Sequence, residues 1–154
     1  GAFFYFMTRV DVKLALLQQL TNQIETLQNQ IADLTIDAQN DAKSSAGDKH
    51  ETGLAMMHLE QEKLNAKLTD LINHKTLVQK LPENEVTTKI GLGSLVKTDK
   101  ALFYVSIAFL AFKVKNQMVM FISSPAPLMQ VLLNKEVGNE VVFNNISYKI
   151  LEIL

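Results

Sequence analysis

The 154-residue chain contains no cysteine, so it can form no disulfide, hold no metal through a thiolate and use no cysteine nucleophile. Its 15 basic and 16 acidic residues leave a formal net charge of -1, whereas proteins that bind duplex nucleic acid normally carry a basic surface. We therefore expect no duplex DNA binding by the chain alone and only local contact with any nucleic acid. A composition of 47% hydrophobic and 20% charged residues is that of an ordinary globular protein with one domain or two small ones.

Long apolar runs are also missing. The longest one after the amino end, residues 101–112, is shorter than the roughly 20 residues that span a bilayer. Residues 1–7 are rich in aromatics but lack a basic region and are too short for the apolar core of a signal peptide. We predict a cytoplasmic protein with no membrane segment. The role of residues 2–6 stays open between an extension upstream of Met7 and packing on a neighbouring surface.

Glycine and proline are absent from residues 8–46, so nothing in this stretch forces a helix to kink. Apolar residues recur there at alternating steps of three and four, which is the seam pattern of a coiled coil. These residues are Leu17, Leu20, Ile24, Leu27, Ile31, Leu34 and Ala38. After residues 44–53 the alternation resumes at Leu54, Met57, Gln61, Leu64, Leu68, Leu71, Lys75 and Val78, and Leu81-Pro82 closes it. We predict an antiparallel coiled-coil hairpin over 8–82 with its tip at 44–53, in which polar Gln61 and Lys75 fix the register.

The pattern changes to strand-like runs after Pro82: 94–98, 101–109, 113–115, 118–123, 137–143 and 146–154. Between them, 127–134 reads as a short helix that Asn134 can end, and Asn144-Asn145 as a tight hairpin turn, since asparagine tolerates positive φ. The aromatic residues of this region are expected mostly in its core. The prediction is an α+β chain with a second, β-rich domain over 86–154.

Two carboxylates stand three residues apart at the predicted tip, Asp48 and Glu51. If the second helix starts near Asp48, they share one face of it. The same spacing is that of a helix capping box, and Ser45-x-x-Asp48 offers a second frame for one. A capping Asp48 would turn its oxygens onto backbone N–H groups, whereas a functional one would face solvent. Lys43 and Lys49 flank the pair and either contact RNA phosphate or are simply solvated.

In layout and local motifs the chain resembles the Gre family of bacterial transcript-cleavage factors, which have an amino-terminal coiled coil and a carboxy-terminal FKBP-like domain. The tip segment Gly47-Asp48-Lys49-His50-Glu51 is similar to the family's Gly-Asp-x-x-Glu, and three patches of the second domain are similar to its closing signature. The patches are Ser123-Ser124-Pro125-Ala126-Pro127-Leu128, the stretch from Leu132 to Val141, and Tyr148-Lys149-Ile150-Leu151-Glu152-Ile153. The chain departs from the family at Gln130, Asn134 and Asn139, and after Glu51, where Thr52-Gly53-Leu54-Ala55 follows.

The resemblance implies a transcription elongation factor that binds bacterial RNA polymerase and inserts the tip into its secondary channel. There Asp48 and Glu51 would help hold a second Mg²⁺, shared with the polymerase, and promote cleavage of backtracked RNA near its 3′ end. Two carboxylates alone make a weak magnesium site, but beside a resident metal they complete a two-metal arrangement for phosphodiester hydrolysis. On this hypothesis the chain is not an enzyme but activates the polymerase's own cleavage.

Three other functions stay open at this point. The first is a Gre-like regulator that occupies the channel without stimulating cleavage, and the second is a coiled-coil protein-interaction module. The third, a prolyl isomerase, is disfavoured because an FKBP-like fold does not by itself imply that activity.

Overall fold

The computed structural model describes the backbone of residues 6–44, 48–85 and 87–154, and the side chains of these residues apart from 41–44 and 48–50. Two long helices come first, followed by a six-stranded sheet with one short helix among the described residues, so the predicted α+β class is confirmed. The elements are α1 (Arg9–Ser44), α2 (Asp48–Gln79), β1 (Leu95–Thr98), β2 (Leu102–Ser106), β3 (Phe109–Val114), β4 (Gln117–Ser123), α3 (Pro127–Leu132), β5 (Glu140–Phe143) and β6 (Ile146–Ile153).

The chain divides into two compact units, Gly1–Leu17 with Leu77–Leu154, and Gln18–Thr76. The start of α1, as far as Leu17, and the end of α2, from Leu77, therefore belong to the same unit as the sheet. No described helix is both long enough and apolar enough to cross a membrane. The domain bounds 8–82 and 86–154 remain a prediction.

The second unit is a pair of antiparallel helices joined through the predicted seam. Every seam residue named from the sequence is buried or half-buried, whereas most of the residues between them are exposed. The Gln61 side-chain amide donates to Thr35 Oγ1 across the pair at 3.0 Å, and the Thr35 hydroxyl donates to the Ile31 carbonyl at 3.0 Å. This bond joins residues near the end of α1 to residues near the start of α2, which fixes the antiparallel register.

Helix α1 begins with a capping box. The Thr8 N–H donates to Asp11 Oδ2 at 3.0 Å, and the Asp11 N–H donates to Thr8 Oγ1 at 3.2 Å, so two of the unpaired N–H groups of the helix end are satisfied reciprocally. Asp11 also forms an ion pair with Lys115 at 3.0 Å. Partial desolvation raises the pKa of Asp11, but the Thr8 N–H and the Lys115 ammonium outweigh it and leave that pKa below its usual range.

The sheet has the strand order β3-β4-β2-β1-β6-β5, and within it β2 and β4 are parallel whereas the other neighbours are antiparallel. One face carries a core built on Phe103, Val105, Val96 and Ile150, which α3 covers with Met129 and Leu132. Side chains alternate along a strand, so Tyr104, fully buried, points to the opposite face. The charges of Arg9 and Glu83 act on its hydroxyl there.

One strand of the sheet differs from the sequence prediction. The prediction of one strand over 101–109 is wrong, because β2 ends at Ser106 and Phe109 starts a separate strand that extends to Val114. Chain connectivity is the reason: β4 lies between β2 and β3, so the chain must cross the end of β4 at residues 107–108.

Asparagine turns close two hairpins of the sheet. The predicted Asn144-Asn145 turn is confirmed, with φ values of 48° and 64° between the paired residues Phe143 and Ile146. A second turn of the same kind, Lys115-Asn116, joins β3 to β4 with φ values of 49° and 66° and was not predicted. Asn134 also has positive φ, 63°, and lies just past the end of α3, as expected for its stop.

Candidate functional site at the turn of the helical hairpin

The carboxylates singled out from the sequence stand at the start of the second helix. Helix α1 ends at Ser44 and α2 begins at Asp48, so residues 45–47 join the two. Glu51 follows one helical turn later, with its side chain exposed. Since residues three apart on a helix are neighbours, the backbone places Asp48 and Glu51 on the same side of the first turn of α2.

The position suits acidic residues for a general electrostatic reason. The first turn of a helix carries unpaired N–H groups and the positive end of the helix dipole, which together stabilise nearby negative charge. A charged pair is also what a shared magnesium site requires, because Mg²⁺ prefers oxygen ligands.

The capping box at Thr8 and Asp11 shows what a purely capping role of the tip acids would require. There the cap residue, Thr8, precedes the first helical residue, Arg9. Asp48 is instead itself the first residue of α2. The side chains of Asp48, Lys49 and Lys43 lie outside the described residues, as does the Ser45 frame. Capping, metal binding and phosphate contact at the tip therefore all remain predictions.

Glu51 is the predicted site residue whose side chain the structure does describe, and it faces solvent near the turn. Its helix is held in register by the bond between Gln61 and Thr35, which fixes how far α2 can slide along α1. A polar pair at a seam position is a known means of setting register in coiled coils. The described side chains include no group of three or more His, Asp or Glu residues that could hold a metal ion.

Sequence reasoning missed a buried cation at the other end of the hairpin. Lys13, 4% exposed, donates to the Gln79 carbonyl at 2.9 Å and to the Leu81 carbonyl at 2.8 Å, and forms an ion pair with Glu83 at 3.0 Å. Lys13 thus satisfies one carbonyl at the end of α2 and one just past it, where helices leave acceptors unpaired. The sequence does contain a signal for this burial, because Lys13 lies four residues before Leu17 and so occupies the preceding seam position.

Arg9 is the second buried cation of this region, 6% exposed, and its Nε donates to the Leu154 carbonyl at 2.9 Å. Nearby, Tyr104 is fully buried and its hydroxyl has no hydrogen-bond partner among the described residues. Burial raises the pKa of Tyr104 to about 12, against the opposing effect of the Arg9 charge. Lys13 joins the start of α1 to the end of α2 and the residues that follow it, and Arg9 joins the start of α1 to the residue after β6.

No family model matches the chain, and no curated protein matches it. Among solved structures, the chain is similar to one described as the structure of the transcription factor Gfh1, with 20% sequence identity and a TM-score of 0.35. The similarity covers 89% of this chain and 92% of that one. A likeness this weak assigns no family.

Proposed function

We propose that the chain is a Gre-like transcription factor that binds RNA polymerase and stimulates cleavage of backtracked RNA through Asp48 and Glu51. The observation that carries the proposal is the position of the two acids in the first turn of α2, directly after the residues that join α1 to α2. The sequence resemblance of the tip and of the second domain to the Gre family supports it independently.

The geometry of the hairpin is suited to delivering a charge pair. Helix α1 has 36 residues, which corresponds to about 54 Å of helix at 1.5 Å per residue. Inserted into the secondary channel, the two carboxylates would add ligands to a Mg²⁺ that the polymerase and RNA phosphate also hold, and the metal would activate water for phosphodiester hydrolysis. Lys43 and Lys49, on either side of the turn, would contact the RNA phosphates.

The experiment is an RNA-release assay on stalled polymerase complexes with the double variant Asp48→Asn, Glu51→Gln. We expect cleavage to fall about 100-fold, since a metal contributes several kcal/mol to such a transition state and 1.36 kcal/mol corresponds to a factor of ten. The matched control replaces Asp37 and Glu60, two exposed acids of the same helices, by the corresponding amides and should cleave like the wild type.

Binding must be measured alongside cleavage. The double variant should compete for polymerase as well as the wild type does, because the substitutions remove metal ligands rather than packing. Undiminished cleavage by the double variant would refute the mechanism. A wild-type chain that binds polymerase without stimulating cleavage would instead identify a channel-occupying regulator, and a chain that does not bind polymerase would refute both.

A further inference from the structure

The face of the sheet that carries α3 is only partly covered. Helix α3 has six residues, roughly 9 Å of helix, and packs against β5 and β4. Beyond it, three large apolar side chains on β3 and β4 are exposed: Leu110 by 85%, Met118 by 49% and Met120 by 41%. Apolar exposure concentrated on one surface of a folded protein commonly marks a binding surface.

Strand register places these side chains on one face. Met120 is the cross-strand partner of Phe103, which belongs to the core beneath α3, and Met118 is the partner of Lys113. The register shift between Phe109 and Phe112 adds a residue to β3, so Leu110 falls opposite Met120. We name Leu110, Lys113, Met118 and Met120 the open face.

The two strands that form the open face contribute charge of one sign. No acidic residue occurs between Asp99 and Glu136, whereas four lysines do: Lys100, Lys113, Lys115 and Lys135. Lys115 is paired with Asp11, but Lys113 has no carboxylate partner in the described part of the chain. An apolar surface whose own strands supply only positive charge is complementary to an apolar segment with acidic neighbours.

The form of the occupant follows from the edge of the sheet. β3 is an edge strand, but its bulge and its lysine are features that hinder the addition of another strand. The surface of two strands beside α3 is about 10 Å wide at 4.8 Å per strand, which matches the diameter of a helix. Methionine side chains adapt to the shape of such a partner.

We propose that the open face binds an amphipathic helix of a partner protein whose apolar stripe is flanked by acidic residues. The apolar stripe would cover Leu110, Met118 and Met120, and an acidic flank would reach Lys113. The proposal goes beyond the cleavage function and does not depend on it, because the open face shares no residue with the hairpin turn.

The test uses two synthetic helical peptides of about 18 residues with the same leucine stripe, one flanked by glutamates and the other by lysines. Binding to the full chain is followed by NMR of ¹³C-labelled methionine methyl groups. The glutamate peptide should shift Met118 and Met120 and leave Met56 unchanged, although Met56 is 67% exposed and would respond to unspecific apolar binding. The lysine peptide should bind more weakly, by about two- to fivefold for one exposed ion pair.

The variant Lys113→Glu tests the charge complementarity. It should weaken the glutamate peptide and strengthen the lysine peptide, reversing their order, while leaving the far-UV spectrum of the protein unchanged. Lys97→Glu is the matched control, because it makes the same charge change at an exposed lysine on β1 and should leave the order as in the wild type.

Several results would overturn the proposal. They are equal affinity of the two peptides, shifts at Met56 as large as those at Met118, no shift at Met118 and Met120 at millimolar peptide, or tighter binding of an acidic strand-forming peptide of the same composition. Shifts of Met118 and Met120 that depend on protein concentration without peptide would show a second copy on this face instead. None of these results bears on cleavage, since the acids of the turn are intact throughout.

Discussion

Replacing Lys13 by methionine would test how the ends of the two long helices are held together. Methionine keeps the length and most of the apolar stem of lysine but removes the ammonium group. The substitution takes away the donor of two hydrogen bonds, to the carbonyls of Gln79 and Leu81, and the ion pair with Glu83. We expect the variant to fold and to be less stable.

The magnitude follows from the exposure of each partner. The bond to Leu81 is buried, so its carbonyl loses a partner without gaining water, at a cost of about 1–3 kcal/mol. The bond to Gln79 is partly buried and contributes about 0.5–1.5 kcal/mol. Glu83 is 44% exposed, which limits that ion pair to about 1 kcal/mol at most. Allowing for the relief of no longer burying a charge, we expect a net loss of about 2–4 kcal/mol.

Urea unfolding followed by far-UV circular dichroism and by the methyl signal of buried Met129 measures this loss in the unit that contains the sheet. Lys75→Met is the matched control, because Lys75 is half-buried at a seam position and has no ion pair among the described residues. That control should stay within about 0.5 kcal/mol of the wild type or be more stable. A Lys13→Met variant as stable as the wild type would refute the reasoning, since it would mean that the ammonium group is not what satisfies these carbonyls.

Two further predictions concern the same region. Burial raises the pKa of Tyr104 to about 12, from an ordinary value near 10. The unfolded chain therefore loses this proton first as pH rises. The wild type should lose about 2–3 kcal/mol of stability between about pH 10 and 12. In urea titrations, Tyr104→Phe should show no such loss and should be nearly as stable as the wild type at neutral pH. The control variant Tyr148→Phe should retain the loss. A loss of equal size in Tyr104→Phe would contradict the assignment to Tyr104. Leu16→Ala should cost about 2–5 kcal/mol, because Leu16 is fully buried, while Leu14→Ala at a 58% exposed position should cost no more than about 0.5 kcal/mol. Leu17→Ala, half-buried, should fall between them, and a larger loss for Leu17 than for Leu16 would contradict the burial.

The helical hairpin was predictable in detail because its determinants are local. A seam repeats every three or four residues, so burial along α1 and α2 follows from spacing alone, and the absence of glycine and proline allowed an unbroken α1. The seam pattern did not predict which residues are most buried near the start of α1. There Val12 and Leu16 are fully buried while Leu17 is only half-buried, because the unit that contains the sheet sets which side of this helix is covered.

Most strands of the sheet and the Asn144-Asn145 turn were predictable, but the arrangement of the strands was not. Alternating apolar residues indicate strands, and paired asparagines indicate tight turns, since both signals depend on a few neighbouring residues. That β4 lies between β2 and β3, two strands separated by only residues 107–108, depends on contacts between distant parts of the chain. The bulge that exposes Leu110 and the partial cover of α3 follow from the same arrangement.

By itself the sequence determined the two long helices and the position of Asp48 and Glu51 at the start of the second helix, because helical spacing converts directly into position on a face. Only the tertiary structure decided that Lys13 closes the end of α2, that Tyr104 is buried beneath the charges of Arg9 and Glu83, and that Leu110, Met118 and Met120 share an exposed face. These features join residues far apart in the chain, and their energy depends on which groups the fold removes from water.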